Sequence, residues 1–166
     1  MATRKHKNHP NLTGEYRWGD AGQLILLVLF LGIWGSDSFL YHYSDFLLNR
    51  VPVFVRVPLA ALVLIFGWLL ARGGMKAVFG TRREKPEVID SGVFRVVRHP
   101  IYTGALLFYL GAVLITFSMV SAGFWLVILL YYYLIARYEE KILTKEFGEE
   151  YTRYKQKTGM LFPRLF

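Results

Sequence analysis

The chain has no cysteine and only six prolines in 166 residues. The first absence excludes disulfides, iron–sulfur clusters, thiolate zinc sites and a cysteine nucleophile, and leaves the redox compartment open. Charge is scarce as well, at 19% of residues, against about 25% in ordinary soluble domains. Hydrophobic residues make up 54% and aromatic residues 17%. An apolar excess of that size cannot be buried in one small globule, so the composition argues against a disordered tail, a fibrous repeat or a water-soluble enzyme. It reads as a membrane protein. The length allows one domain with room for about four or five spans of ~20 residues each.

Four apolar runs carry that reading. Residues 21–33 are apolar almost without interruption, and the run extends through Ser36, Asp37 and Tyr41 to Leu48, giving a first span with a polar exit. Residues 52–70 form a second, with Arg56 near one end, where its long stem can snorkel to the interface. Residues 101–120 are a third. Residues 123–136 are a fourth, short by bilayer standards unless its helix continues past Arg137. Only residues 120–123 separate the last two, which predicts a tight antiparallel helical hairpin.

The net charge of +8 would suggest nucleic acid in a soluble protein, but its location says otherwise. Residues 1–21 hold four of the twenty Lys and Arg, 72–98 hold seven and 137–166 hold seven, and only Arg50 and Arg56 lie elsewhere. Cytoplasmic loops collect such residues, so both termini, the middle loop and the active site are expected at the cytoplasmic face of a multi-pass protein. Anionic headgroups then suffice as partners and no nucleic acid is needed. A signal peptide is not expected, because the first apolar run starts late and lasts too long. Residues 1–20 read as a mobile basic arm, with His6 and His9 as surface residues and no metal site. Trp18, Phe39, Tyr41 and Tyr43 read as interfacial anchors.

Chemistry concentrates in the second half. Residues 80–98 mix charge with Pro86 and two glycines and suggest an ordered loop against the membrane. Arg98-His99-Pro100 comes next. Pro100 suits the first helical position, where its missing N–H is no loss, so His99 becomes the expected N-cap. A helix N-terminus beside Arg98 can hold an anionic group. Arg137, Glu139 and Glu140 emerge from span four at the same interface, and the hairpin makes the two ends neighbours. Two acids, two arginines, His99 and Tyr102 are therefore expected in one interfacial cup. Because adjacent helical residues lie about 100° apart, only one of the two acids is expected to face inward. Beyond them Leu143, Phe147, Tyr151 and Tyr154 form a stripe opposite Lys141, Lys145, Glu149 and Lys155, which predicts an amphipathic helix hinged at Gly148 and lying over the cup. Residues 160–166 are an apolar terminus able to dock back.

The run Val88-Ile89-Asp90-Ser91-Gly92-Val93-Phe94-Arg95, with Arg98-His99-Pro100-Ile101-Tyr102-Thr103-Gly104 after it, resembles the signature of the isoprenylcysteine carboxyl methyltransferase family and its phospholipid-methyltransferase relatives. Glu139-Glu140, with Leu143, Phe147-Gly148, Tyr151, Tyr154 and Pro163, resembles the same pattern. The likeness covers residues 86–163. It implies an all-α integral-membrane bundle of about four transmembrane helices plus a C-terminal amphipathic cytoplasmic helix. It also implies an enzyme using S-adenosylmethionine, with residues 21–166 as one domain and 86–163 as its cofactor-binding part. Carried over by position, Val88, Ile89, Phe94, His99, Pro100, Ile101 and Tyr102 would line the cofactor, with Glu139 or Glu140 at its boundary with the acceptor. Arg98 is expected beside them at the cofactor, and Arg137, which does not stand at the family's position, is expected with the two acids at the acceptor.

Methyl transfer is a sensible use of such a cup. An amphoteric sulfonium donor needs an anion-binding end, an acidic acceptor and apolar walls, and in-line displacement relies on positioning rather than a metal. A carboxylate acceptor is already ionised at neutral pH, whereas an amine needs a base, for which Glu139, Glu140 or His99 are candidates. The expected acceptor is a lipid-like or lipidated small molecule entering from the bilayer. Two other readings stand beside this one: an NADPH-dependent sterol-type reductase relative, and a non-catalytic membrane scaffold.

Overall fold

Long apolar runs have no water to satisfy their backbone groups, and helix is the local solution. The computed structural model describes residues 19–48, 50–80 and 86–164. Its regular elements there are all helical: α1 (Gly19–Gly35), continued by a π-helical turn over Ser36–Tyr41, then α2 (Val53–Phe79), α3 (Pro100–Thr116) and α4 (Met119–Lys157). A 3-10 turn covers Gly92–Arg95 ahead of α3. Three stretches are long and apolar enough to cross a membrane: Gly19–Tyr41, Val53–Phe79 and Met119–Phe147, with mean hydropathies of 1.9, 2.3 and 1.9. They give the chain the build of an integral membrane protein. α3 is apolar but has only 17 residues. The expected N-terminal arm, with His6, His9 and Trp18, lies outside the described residues except for Gly19 and Asp20, which already belong to α1.

The chain divides into two compact units, residues 19–69 with 104–132 and residues 70–103 with 133–164. In the first, fully buried Phe30 of α1 meets the Tyr109 ring edge-on at 4.8 Å, and Trp125 Nε1 donates to the Leu106 carbonyl at 2.9 Å. At Gly67 a Cβ would lie 2.9 Å from Leu107 Cβ, so the missing side chain lets α2 approach α3. Arg56 does not simply reach outward: its Nη1 donates to the Ile115 carbonyl at 2.7 Å, a cation placed on the last turn of α3.

Polar groups gather at the end of α1. Asp37, only 5% exposed, accepts from the Ser44 N–H at 3.1 Å, from Ser44 Oγ at 2.5 Å and from Ser118 Oγ at 2.5 Å. Ser38 Oγ donates to Thr116 Oγ1 at 2.9 Å, and Trp34 Nε1 reaches the same oxygen at 3.0 Å. This network explains where the α3–α4 hairpin turns. The reversal sits at Phe117-Ser118, not at residues 120–123, with Phe117 in the left-handed region at φ 52°. Ser118 Oγ accepts the Ser121 N–H at 3.1 Å, an N-cap that starts α4 earlier than the apolar pattern indicated.

In the second unit α2 runs nine residues past the expected end at residue 70. Arg72 and Lys76 end the apolar run but are good helix formers and do not end the helix. Gly73 and Gly74 bring it close to its neighbours, since a Cβ on them would lie 2.6 Å from Val93 Cγ1 and 2.8 Å from Ile101 Cγ1. α4 breaks at Gly148, whose φ of 56° and ψ of −125° suit glycine and no β-carbon-bearing residue. Beyond α4, residues 158–161 fold back along the start of α3 through a parallel bridge between Val97 and Gly159.

Candidate active site

The segment before α3 is fixed from both sides. The Arg98 N–H donates to the Gly159 carbonyl at 2.8 Å and the His99 N–H to that of Met160 at 3.1 Å. The His99 carbonyl accepts the Thr103 N–H at 2.9 Å, which is the first bond of α3, so His99 holds the N-cap position expected from Pro100. Thr103 Oγ1 donates to the Leu161 carbonyl at 2.9 Å. A side chain on Gly159 would overlap the Phe162 carbonyl, so this tight return needs glycine there.

Four side chains meet at that point. His99, Glu139 and Glu140 are 9%, 9% and 5% exposed. The Tyr102 hydroxyl donates to Glu139 Oε1 at 2.5 Å. The imidazole stacks on the Tyr102 ring, centroids 5.5 Å apart and 2° from parallel. It lies between the acids, with Nδ1 3.5 Å from Glu139 Oε2 and Nε2 3.5 Å from Glu140 Oε1. Nε2 is buried and makes no hydrogen bond among the described residues. Glu140 accepts from Arg98 Nε at 2.6 Å, and Lys155 Nζ stands 3.5 Å from its Oε2.

Both acids therefore turn inward where one was expected. They are 100° apart around α4, but residues 98–102 curve across that helix and meet each carboxylate on its own flank. Arg137 does not join them. It is exposed, with its guanidinium 5.8 Å from the centre of the Tyr133 ring one turn back along α4. Lys155, expected on the solvent side, turns in toward Glu140 instead. Its long stem allows that reach, and only the acid's burial would have signalled it.

An apolar cluster adjoins these groups. Phe94, Tyr151 and Tyr154 are buried together, with Val88, Ile89, Leu143 and Phe147 packed against them. The stripe read from spacing thus meets the loop residues read from motif. Pro100 is fully buried, while Ile101 and Tyr102 are half-buried. The Tyr154 hydroxyl donates to the Phe94 carbonyl at 2.6 Å. Burial, the largest influence, pushes the Tyr151 and Tyr154 hydroxyls above the usual phenol range. A group whose folded pKa is raised contributes its full stabilisation below the unfolded value and loses it as pH rises. Thermal stability in detergent is expected to hold through neutral pH and to fall above about pH 10. Tyr151→Phe/Tyr154→Phe should lose part of that alkaline slope, and an unchanged slope would contradict the assignment.

Residues 55–150 match the family model for phospholipid methyltransferases. The chain is 36% identical over 83 residues to a methanethiol S-methyltransferase of Pseudomonas sp., covering 49% of this chain and 30% of the relative. It is 31% identical over 77 residues to protein-S-isoprenylcysteine O-methyltransferase B of Arabidopsis thaliana, covering 46% and 39%. With methanethiol S-methyltransferase 2 of Bradyrhizobium diazoefficiens it shares 29% identity over 139 residues, covering 69% and 51%. The chain thus spans about half or less of the length of these curated relatives. The family match takes in α2, the loop that carries His99, α3 and α4 through both acids, and by that match the chain belongs to the phospholipid methyltransferase family.

Proposed function

We propose that the chain is a membrane methyltransferase that uses S-adenosylmethionine and acts on a lipid-like or lipidated acceptor. The observation that carries this reading is the buried imidazole of His99, set 3.5 Å from each of two carboxylates with its Nε2 left, among the described residues, without a hydrogen bond. A buried polar atom in that state is costly unless a ligand completes it. The residues present fit the donor: Glu139 and Glu140 suit its ammonium and ribose hydroxyls, His99 and the start of α3 at Pro100, Ile101 and Tyr102 suit its carboxylate, and Val88, Ile89 and Phe94 suit its adenine. When bound, that group supplies an electrophilic methyl on a sulfonium.

The chain's own residues bind, orient and exclude water. Tyr102 holds Glu139 and Arg98 holds Glu140, so both acids are set before any ligand arrives. Toward a carboxylate acceptor they need only position. Toward an amine acceptor His99 or one of the acids would also take the proton. Arg137 has no part in this proposal, given its exposed position. We further infer four crossings, with α3 as the fourth despite its length, and with the basic termini and the site at the cytoplasmic face. The segment after Gly148 serves as the amphipathic helix that covers the site.

Calorimetry in detergent tests the reading. The wild-type chain is expected to bind S-adenosylhomocysteine, and Tyr102→Phe to bind it about tenfold more weakly through loss of one hydrogen bond to a charged group. His99→Ala should weaken it further. A wild type that binds no S-adenosylhomocysteine would remove the proposal.

A further inference from the structure

One guanidinium joins Glu140 to the segment after Gly148. Arg98, 9% exposed at its side chain, gives Nε to Glu140 Oε1 at 2.6 Å. Its Nη1 donates to the Lys155 carbonyl at 3.1 Å and to the Thr158 carbonyl. Through the backbone, the same residue and its neighbour His99 donate to Gly159 and Met160. Lys155, whose carbonyl Arg98 holds, places its ammonium 3.5 Å from the other oxygen of Glu140. Among the described residues, the ties on Glu140 other than His99 thus come from Arg98, which also holds the segment after Gly148, and from Lys155 within that segment. Glu139 is held differently, by Tyr102 within α3.

We propose that Arg98 is a positioning residue, not a donor contact, and that it makes the placement of Glu140 beside His99 conditional on the docking of residues 155–161. A planar fork presents donors from separate nitrogens in fixed directions and so reaches a carboxylate through Nε and two carbonyls through Nη1, whereas the three donors of an ammonium all leave one atom. Cations also suit the carbonyl end of a helix, so the bond to Lys155 and Thr158 favours the docked segment while Nε fixes the acid. Non-helical Gly148 interrupts α4 ahead of this segment, so residues beyond it can leave without unwinding the part of α4 that carries Glu140. Undocking would withdraw the two carbonyls and Lys155 together and free Arg98 to leave the acid. The site is then complete only when its cover is closed. This inference rests on the proposed function only in taking the cluster as the donor site.

The absence of cysteine makes a two-label experiment clean. Met75→Cys and Gln156→Cys, both exposed, carry spin labels on α2 and on the C-terminal segment. The wild-type pair is expected to give one narrow distance, and Arg98→Lys to add a second, longer one. Arg98→Lys should also weaken S-adenosylhomocysteine binding about tenfold. Combined with Glu140→Gln, it should cost no more than Glu140→Gln alone, because Arg98 acts through that acid. Losses that add in the double variant would assign Arg98 to the ligand and overturn the inference, as would an unchanged distance distribution. Should Arg98→Lys fail to fold, Lys155→Ala carries the test: a broadened distance and weaker binding support the coupling, and wild-type values for both overturn it. If the wild type binds no S-adenosylhomocysteine, the functional reading fails, yet the distances alone still decide whether Arg98 docks the segment.

Discussion

Glu140→Ala is expected to destabilise the protein by about 3–5 kcal/mol, the usual cost of leaving one half of a buried ion pair behind. Arg98 would keep its carbonyl partners but lose its carboxylate, and its side chain has almost no access to water. His99 Nε2 would lose the acid 3.5 Å away and gain nothing in its place. The measurement is thermal unfolding of the detergent-solubilised protein followed by tryptophan fluorescence. Arg137→Ala is the control: that exposed side chain rests on the Tyr133 ring, and its removal should change stability by less than about 1 kcal/mol. Equal effects from the two substitutions would mean that the buried pair contributes no more than a surface contact.

Asp37→Ala is the second large effect. Three donors, the Ser44 N–H, Ser44 Oγ and Ser118 Oγ, lose their acceptor at once. Each buried donor left unpaired costs about 1–3 kcal/mol, so a loss of at least about 3 kcal/mol is expected. Asp37→Asn keeps one acceptor oxygen but turns an N–H2 group toward hydroxyls that were donating, and should fall between wild type and alanine. Unfolding in detergent ranks the three chains, and an alanine variant as stable as wild type would show that the serines find other partners.

These two acids also mark what could be read from sequence. The Arg98-His99-Pro100 run announced a helix start, because proline's missing N–H and fixed φ act locally. The stripe of Leu143, Phe147, Tyr151 and Tyr154 was legible for the same reason, since spacing sets which side chains share a face. The pairing of Glu139 with Tyr102 and Glu140 with Arg98 was not, because it depends on how residues 98–102 cross α4, and the room for Pro100 and Ile101 beside α2 comes from Gly74, whose role is absence of bulk. Arg137 shows the converse: its position three residues before Glu140 puts it on an adjoining flank of α4, yet its guanidinium turns back to the Tyr133 ring. Asp37 was read as a polar exit from the first span, whereas it gathers donors from a loop and from a hairpin some eighty residues away. Such long-range satisfaction leaves no periodic trace. The turn at Phe117-Ser118 was hidden likewise, within an apolar run whose one serine acts as a cap.

The widened winding over Ser36–Tyr41 has a consequence for how this chain can vary. Its closing bond runs from the His42 N–H back five residues to Asp37, one more than a regular helix would span. The surplus residue advances the angular phase of the residues after it, and both Asp37 and Ser38 end up buried. Deleting any one position there would restore ordinary winding and swing Ser44 away from the acid it serves. Phe39, Leu40 and Tyr41 look outward like residues of a tolerant surface loop, yet the segment should accept changes of side chain far more readily than changes of length.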